Sequence, residues 1–280
     1  EKIFNRRLST LDRFEAPPHS ASPATFARRA TRSGYEDPSL EYLFSELRTL
    51  KYTICIPSIL YCLHKRQDIN LTKKLTRTSM NYLFRVITVG GRAVGQAKLV
   101  FDAIHEHLSG NSGWAEIEQI FQANWLKDEE FVEGFKNFQI SNAELAKYTL
   151  TKIHFNEHGF EQIPNHAVLH LEHIIPQDPA RWVAAGFDFE DRDQDEVIEN
   201  IGNLTLIDQA LNESIQNSVF AIKVSSYERR RGSEERGTSI PMTYQIAEKV
   251  HADPAFTWSY TAVQERASAF SEIAKKVWCL

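Results

Sequence analysis

Two short aliphatic, β-branched runs interrupt an otherwise helical pattern, and they constrain the fold more than any other feature of the chain. Apolar residues recur at helical spacing from Ser39 onward, with Leu40, Leu43, Phe44, Leu47 and Leu50 on one face. The same periodicity predicts helices over 59–66, 75–86, 93–108, 114–125 and 129–138. Ser141-Asn142-Ala143-Glu144 then supplies capping oxygens for a helix over 145–155. At Ala167-Val168-Leu169-His170-Leu171-Glu172-His173-Ile174-Ile175 the texture becomes that of a strand, stopped by Pro176. A polar stretch over 177–200 follows, acidic at 188–199. Ile201-Gly202-Asn203-Leu204-Thr205-Leu206-Ile207 reads as a second short strand, with Asp208 or Asn212 as a cap for the helix beyond it. That helix runs through Val219, Phe220, Ile222 and Lys223 to Tyr227, and two more are expected over 244–251 and 260–278. The expected fold class is mainly α, with a strand–strand–helix unit embedded in it. Such an insertion is odd as a packing solution alone and suggests a site.

The remainder of the chain sets bounds. Residues 1–38, with Ala16-Pro17-Pro18 and Arg28, Arg29 and Arg32, read as a flexible basic linker. Glu1-Lys2-Ile3-Phe4 shows neither a signal-peptide pattern nor an initiating Met, so the chain is expected to be part of a longer protein. A helical domain over 39–140 and a second domain over 141–280, with its strand-bearing core at about 167–228, complete the expected organisation. Cys55, Cys62 and Cys279 form no CxxC pair, which argues against a cysteine-built zinc site and for a reducing cytoplasm. No apolar run approaches the roughly 20 residues of a membrane-spanning helix. Residues 1–100 carry 17 Lys/Arg against 8 Asp/Glu, whereas 101–200 carry 6 against 20. The net charge of −5 therefore does not exclude nucleic acid, for which a local basic surface suffices. Those arginines equally suit a solvated surface.

Phosphodiester hydrolysis needs an activated water and positive charge at the phosphate. A neutral histidine is the natural base near pH 7, and a hard cation asks for only one or two protein oxygens. Glu172-His173 at a strand end offers both groups. Leu171-Glu172-His173-Ile174-Ile175-Pro176-Gln177, Ile201-Gly202-Asn203-Leu204-Thr205-Leu206, then Leu211-Asn212, Asn217, Phe220, Lys223 and Tyr227 form an ordered set. Together with Trp258, Arg266 and Trp278, this set resembles the C-terminal domain of GmrSD-type proteins, well over residues 140–280 and more loosely over 40–140.

That resemblance implies an HNH-like, ββα-metal nuclease. His173 would be the general base, and Asn203 would pin the loop that carries it. Glu172 and Asn212 would hold a single Mg²⁺ or Mn²⁺. Lys223 would meet a phosphate, and Asn217 would contact DNA or compete for the ligand role. Beside the resemblance, the run Arg229-Arg230-Arg231 is a candidate for DNA phosphate contact and equally suits a solvated charge run. The implied protein is an endonuclease, nicking, from a bacterial restriction or antiphage system, GmrSD-like or SspE-like. Its partners would be DNA, including phage or modified DNA, a preceding recognition or NTPase domain, and a second copy of itself. Two other readings stay open: a non-catalytic helical scaffold that binds DNA or a partner, and a phosphodiesterase for RNA or a nucleotide. His154 and His158 are spaced for a metal on a helix, but no third ligand is evident. Trp258, Tyr260, Phe270 and Trp278 read as core.

Overall fold

The computed structural model describes residues 38–159, 169–230 and 237–280. Of the linker expected over 1–38, only Pro38 falls within the described residues, and it opens the first helix. That helix, α1 (Pro38–Leu50), buries Leu40, Leu43, Leu47 and Leu50, the stripe set by its spacing. Next come α2 (Ile56–Tyr61), which widens into a π turn over Cys62–Arg66, and α3 (Ile69–Leu83), which does the same over Phe84–Val89. The start of α3 is set by Asp68, whose carboxylate accepts from the Leu71 amide at 2.9 Å. This is six residues before the expected start, because polar Thr72, Lys73 and Lys74 interrupt the apolar stripe. Helices α4 (Val94–Ser109), α5 (Trp114–Asn124), α6 (Asp128–Lys136) and α7 (Ala143–His158) follow, the last capped by Asn142 on the Leu145 amide.

After α7 the described chain resumes in β1 (Leu169–His173). The short helices α8 (Ala180–Ala184) and α9 (Gln194–Ile198) lead to β2 (Leu204–Asp208), which runs directly into α10 (Gln209–Ile215). Helices α11 (Phe220–Tyr227), α12 (Pro241–Ala252) and α13 (Tyr260–Val277) close the chain. No helix among the described residues is long and apolar enough to cross a membrane.

The principal core joins both halves of the sequence. Phe84, Phe121, Phe131 and Phe135 share it with Leu204, Leu206, Phe270 and Trp278. Phe84 and Trp278 stack with ring centroids 4.1 Å apart and 10° between planes. The buried Arg85 guanidinium donates to the Trp278 and Leu126 carbonyls and, at 2.6 Å, to Asp128. These contacts tie the end of α13 to α6. A second cluster, including Ile174, Ile175, Trp182, Ile198, Ile207, Tyr227 and Trp258, packs around the strand pair. The strand pair is thus held from both sides by packed side chains.

Helix α7 carries one costly residue. His154 is fully buried, and neither ring nitrogen has a hydrogen-bond partner among the described residues. Burial, aided by His158 with its ring centroid 4.9 Å away, pushes the His154 pKa down from 6.5 to about 4. The unfolded chain then takes up this proton first as pH falls. The resulting stability is fully present above pH 6.5 and is lost as pH drops towards 4. At 1.36 kcal/mol per pKa unit, the loss is on the order of 3 kcal/mol. Urea denaturation at pH 7 and pH 4 should show wild type losing that much more stability than His154→Leu. Equal losses would mean that His154 is protonated without penalty.

Candidate active site

Strands β1 and β2 pair antiparallel, with Leu169 opposite Asp208 and His173 opposite Leu204. Strand β1 stops at His173, two residues short of its expected end, because Asn203 takes over the backbone that follows. The Ile174 amide donates to the Asn203 carbonyl at 3.0 Å, and the Ile175 amide donates to Asn203 Oδ1 at 2.8 Å. Asn203 Nδ2 donates in turn to the carbonyls of Ile175 at 2.9 Å and Ile198 at 2.8 Å. One buried amide therefore fixes the chain on both sides of the turn that follows His173.

Strand β2 begins later than the apolar run suggests. Residues Ile201–Asn203 form a 3₁₀ turn capped by Asn200, whose Oδ1 accepts from the Gly202 amide at 2.8 Å. Gly202 lies against α13, where an added Cβ would come within 2.1 Å of the Val263 carbonyl oxygen. Trp258, read as core, and Arg266, noted as part of the resemblance, brace this turn. The Trp258 indole donates to Asn203 Oδ1 at 3.3 Å. Arg266 donates to the carbonyls of Gly202 at 2.9 Å and Leu204 at 2.7 Å.

His173 keeps 14% of its side-chain surface exposed, and its Nε2 lies 3.5 Å from Glu199 Oε2. Burial lowers its pKa below 6.5, against the opposing pull of the Glu199 carboxylate. The imidazole is therefore neutral near pH 7, the form a base requires. The other oxygen of Glu199 accepts from Gln177 Nε2 at 3.3 Å. Glu199 was legible only as one acid in the run 188–199. No local spacing distinguishes it, since its partner lies 26 residues earlier.

Glu172 and Lys223 take places other than those the resemblance implies. On a strand, neighbouring side chains face opposite ways, and Glu172 points inward. Its Oε1 accepts from Lys223 Nζ at 2.6 Å and from the Tyr227 hydroxyl at 2.7 Å. Lys223 is fully buried and donates as well to the His173 carbonyl at 2.7 Å. Burial pushes Glu172 up and Lys223 down in pKa, and each is countered by its partner's charge. In this arrangement the Lys223 ammonium is turned to the Glu172 carboxylate and the His173 carbonyl, and Glu172 is taken up by that ammonium.

Asn212, on α10, donates through Nδ2 to the Leu171 carbonyl at 3.3 Å, and its amide oxygen has no partner among the described residues. Among the described residues no group of three or more His, Cys, Asp or Glu is arranged to hold a metal. A water-rich Mg²⁺ site needs only one or two protein ligands. Asn217 is exposed beyond α10. Arg229 lies over the Tyr244 ring at 5.1 Å, while Arg230 is tied to the Gly237 carbonyl at 3.1 Å and lies 3.7 Å from Asp208. Arg231 falls outside the described residues.

Comparison with family models gives one match that covers this entire unit. The model for the C-terminal domain of GmrSD restriction endonucleases matches residues 125–273. The chain belongs to this family. The match begins before α6 and ends within α13, so it takes in α6, α7 and most of α13 together with the strand pair. Comparisons with curated proteins and with solved structures give no match. Family membership makes this a nuclease domain related to restriction endonucleases, with DNA as the substrate it implies.

Proposed function

We propose that the chain carries an HNH-type endonuclease site that nicks DNA in a bacterial restriction or antiphage system, with His173 as its base. The observation that carries this reading is the placement of His173. It is a neutral, partly exposed imidazole at the end of a two-stranded sheet, on a loop clamped by the buried Asn203. His173 takes a proton from water, the water oxygen attacks phosphorus, and the 3′ oxygen departs. Asn203 holds the backbone that sets the imidazole in place. Lys223, from below, clamps the His173 carbonyl, so its role in this reading is positioning rather than phosphate contact. DNA contacts are left to Asn217, Arg229 and Arg231.

Mg²⁺ or Mn²⁺, when bound, would supply positive charge to the phosphate oxygens. Asn212, with its open amide oxygen, is the member of the implied ligand pair that fits. Glu172 joins it only if Lys223 lets go. The occupied state of Glu172 is also the observation that favours the rival reading, a helical DNA-binding scaffold with a relic nuclease fold.

Incubation of the protein with supercoiled plasmid separates the two. A nuclease converts it to open circles with Mg²⁺ or Mn²⁺ and not with EDTA, and competitor RNA leaves the conversion largely intact. A scaffold retards the plasmid with or without chelator and releases it as salt rises. Conversion unaffected by EDTA would refute the metal-dependent reading, and suppression by RNA would point to an RNA phosphodiesterase.

A further inference from the structure

We infer that Glu199 is the positioning residue of His173, holding the ring through Nε2 so that Nδ1 is the atom left to take the proton from water. The inference rests on the nuclease reading of the same site. Its grounds are geometric. Glu199 is the C-cap of α9, and its backbone is pinned on both sides. Its amide donates to the Asp195 carbonyl at 2.9 Å, and its carbonyl accepts from the Ile140 amide at 2.8 Å. The next residue, Asn200, donates through Nδ2 to the Lys136 carbonyl at 2.9 Å, and the Ile201 amide donates to the Phe138 carbonyl at 2.9 Å. The preceding Val197 and Ile198 are buried. A surface glutamate would sample many rotamers, whereas this one stands on an immobile base.

The carboxylate is directed as well as anchored. Its side chain is 19% exposed, with one oxygen towards Gln177 and the other towards His173. Gln177 lies four residues after His173 on the turn that Asn203 clamps, so both ends of that turn meet the same carboxylate. The 3.5 Å separation is at the outer limit of a hydrogen bond, as catalytic contacts often are before substrate binds. A histidine whose one nitrogen is held by a carboxylate is fixed in tautomer and orientation, which leaves the opposite nitrogen as the acceptor. Two constraints then act on one base: Asn203 and Lys223 fix its backbone, and Glu199 fixes its ring.

The test compares wild type with Glu199→Ala and Glu199→Gln in the full chain. Gln keeps an acceptor of the same length without the charge. Two readouts are needed: steady-state plasmid cleavage, and the ¹⁵N ring signals of His173, which report the tautomer whether or not the protein cleaves DNA. Glu199→Ala should lower kcat by about 10- to 100-fold, the usual scale for a residue that orients a functional group, with KM and the unfolding midpoint nearly unchanged. Its His173 spectrum should change from a single Nε2–H tautomer to a mixture. Glu199→Gln should recover much of both. A His173 tautomer that is the same in wild type and Glu199→Ala would overturn the inference, whatever the cleavage data say. If Glu199→Ala changes the tautomer while His173→Ala still cleaves, the orientation role stands and the reading of His173 as the base fails.

Discussion

Lys223→Met is expected to destabilise the protein by about 3–5 kcal/mol, the range for removing one partner of a buried ion pair. The cost comes from Glu172, whose buried carboxylate would keep only the Tyr227 hydroxyl and the backbone around His173 for company. Its burial already raises its pKa, and Lys223 is the largest influence holding it down. Against a total stability of roughly 5–15 kcal/mol for a typical domain, such a loss brings the variant close to unfolding. The double variant Glu172→Gln/Lys223→Met should recover most of the loss. It removes both charges, and the amide oxygen still accepts from Tyr227. Urea denaturation of the two single variants and the double variant gives the coupling directly. A cost below about 1 kcal/mol for Lys223→Met, the range of an exposed pair, would mean that the pair is solvated and that Glu172 is free for other work. A mostly restored stability without restored cleavage would show that the pair serves the site beyond holding the fold.

The helical framework was readable because it rests on local rules. The stripe of Leu40, Leu43, Leu47 and Leu50 is buried as its spacing predicts, and the Asn142 cap lies where polar residues precede the helix. The strands were readable as β-branched runs, but their ends were not. Ile174 and Ile175 look like strand residues, yet their amides are claimed by Asn203, 28 positions away from Ile175. Such a partner follows from the turn geometry and not from any local pattern.

The candidate site divides in the same manner. His173 and Asn203 stand out through an ordered motif, and the structure brings them together on one clamped turn. Lys223 is a different case. A lysine six residues before a run of arginines reads naturally as a phosphate contact. Its burial depends on how α11 lies across the back of β1, which helical periodicity does not encode. Glu199 was hidden among neighbouring acids that cap helices or face water, such as Asp193, which caps α9. It is distinguished only by what faces it.

His173→Ala is expected to reduce cleavage by about 10²–10⁴-fold, the contribution of a positioned base, with folding little changed. Among the described residues its side-chain partner is Glu199 at 3.5 Å, so its removal breaks one weak contact. The clamp on the loop acts through the His173 and Ile175 backbone, which the substitution retains. Loss of activity would then be a loss of chemistry. The direct test is cleavage of supercoiled plasmid by wild type and His173→Ala, matched for folded fraction by thermal unfolding, with Mg²⁺ or Mn²⁺ present. Open-circular product from wild type, with none from His173→Ala over the same time, is the predicted result. Equal conversion by both proteins would contradict the account.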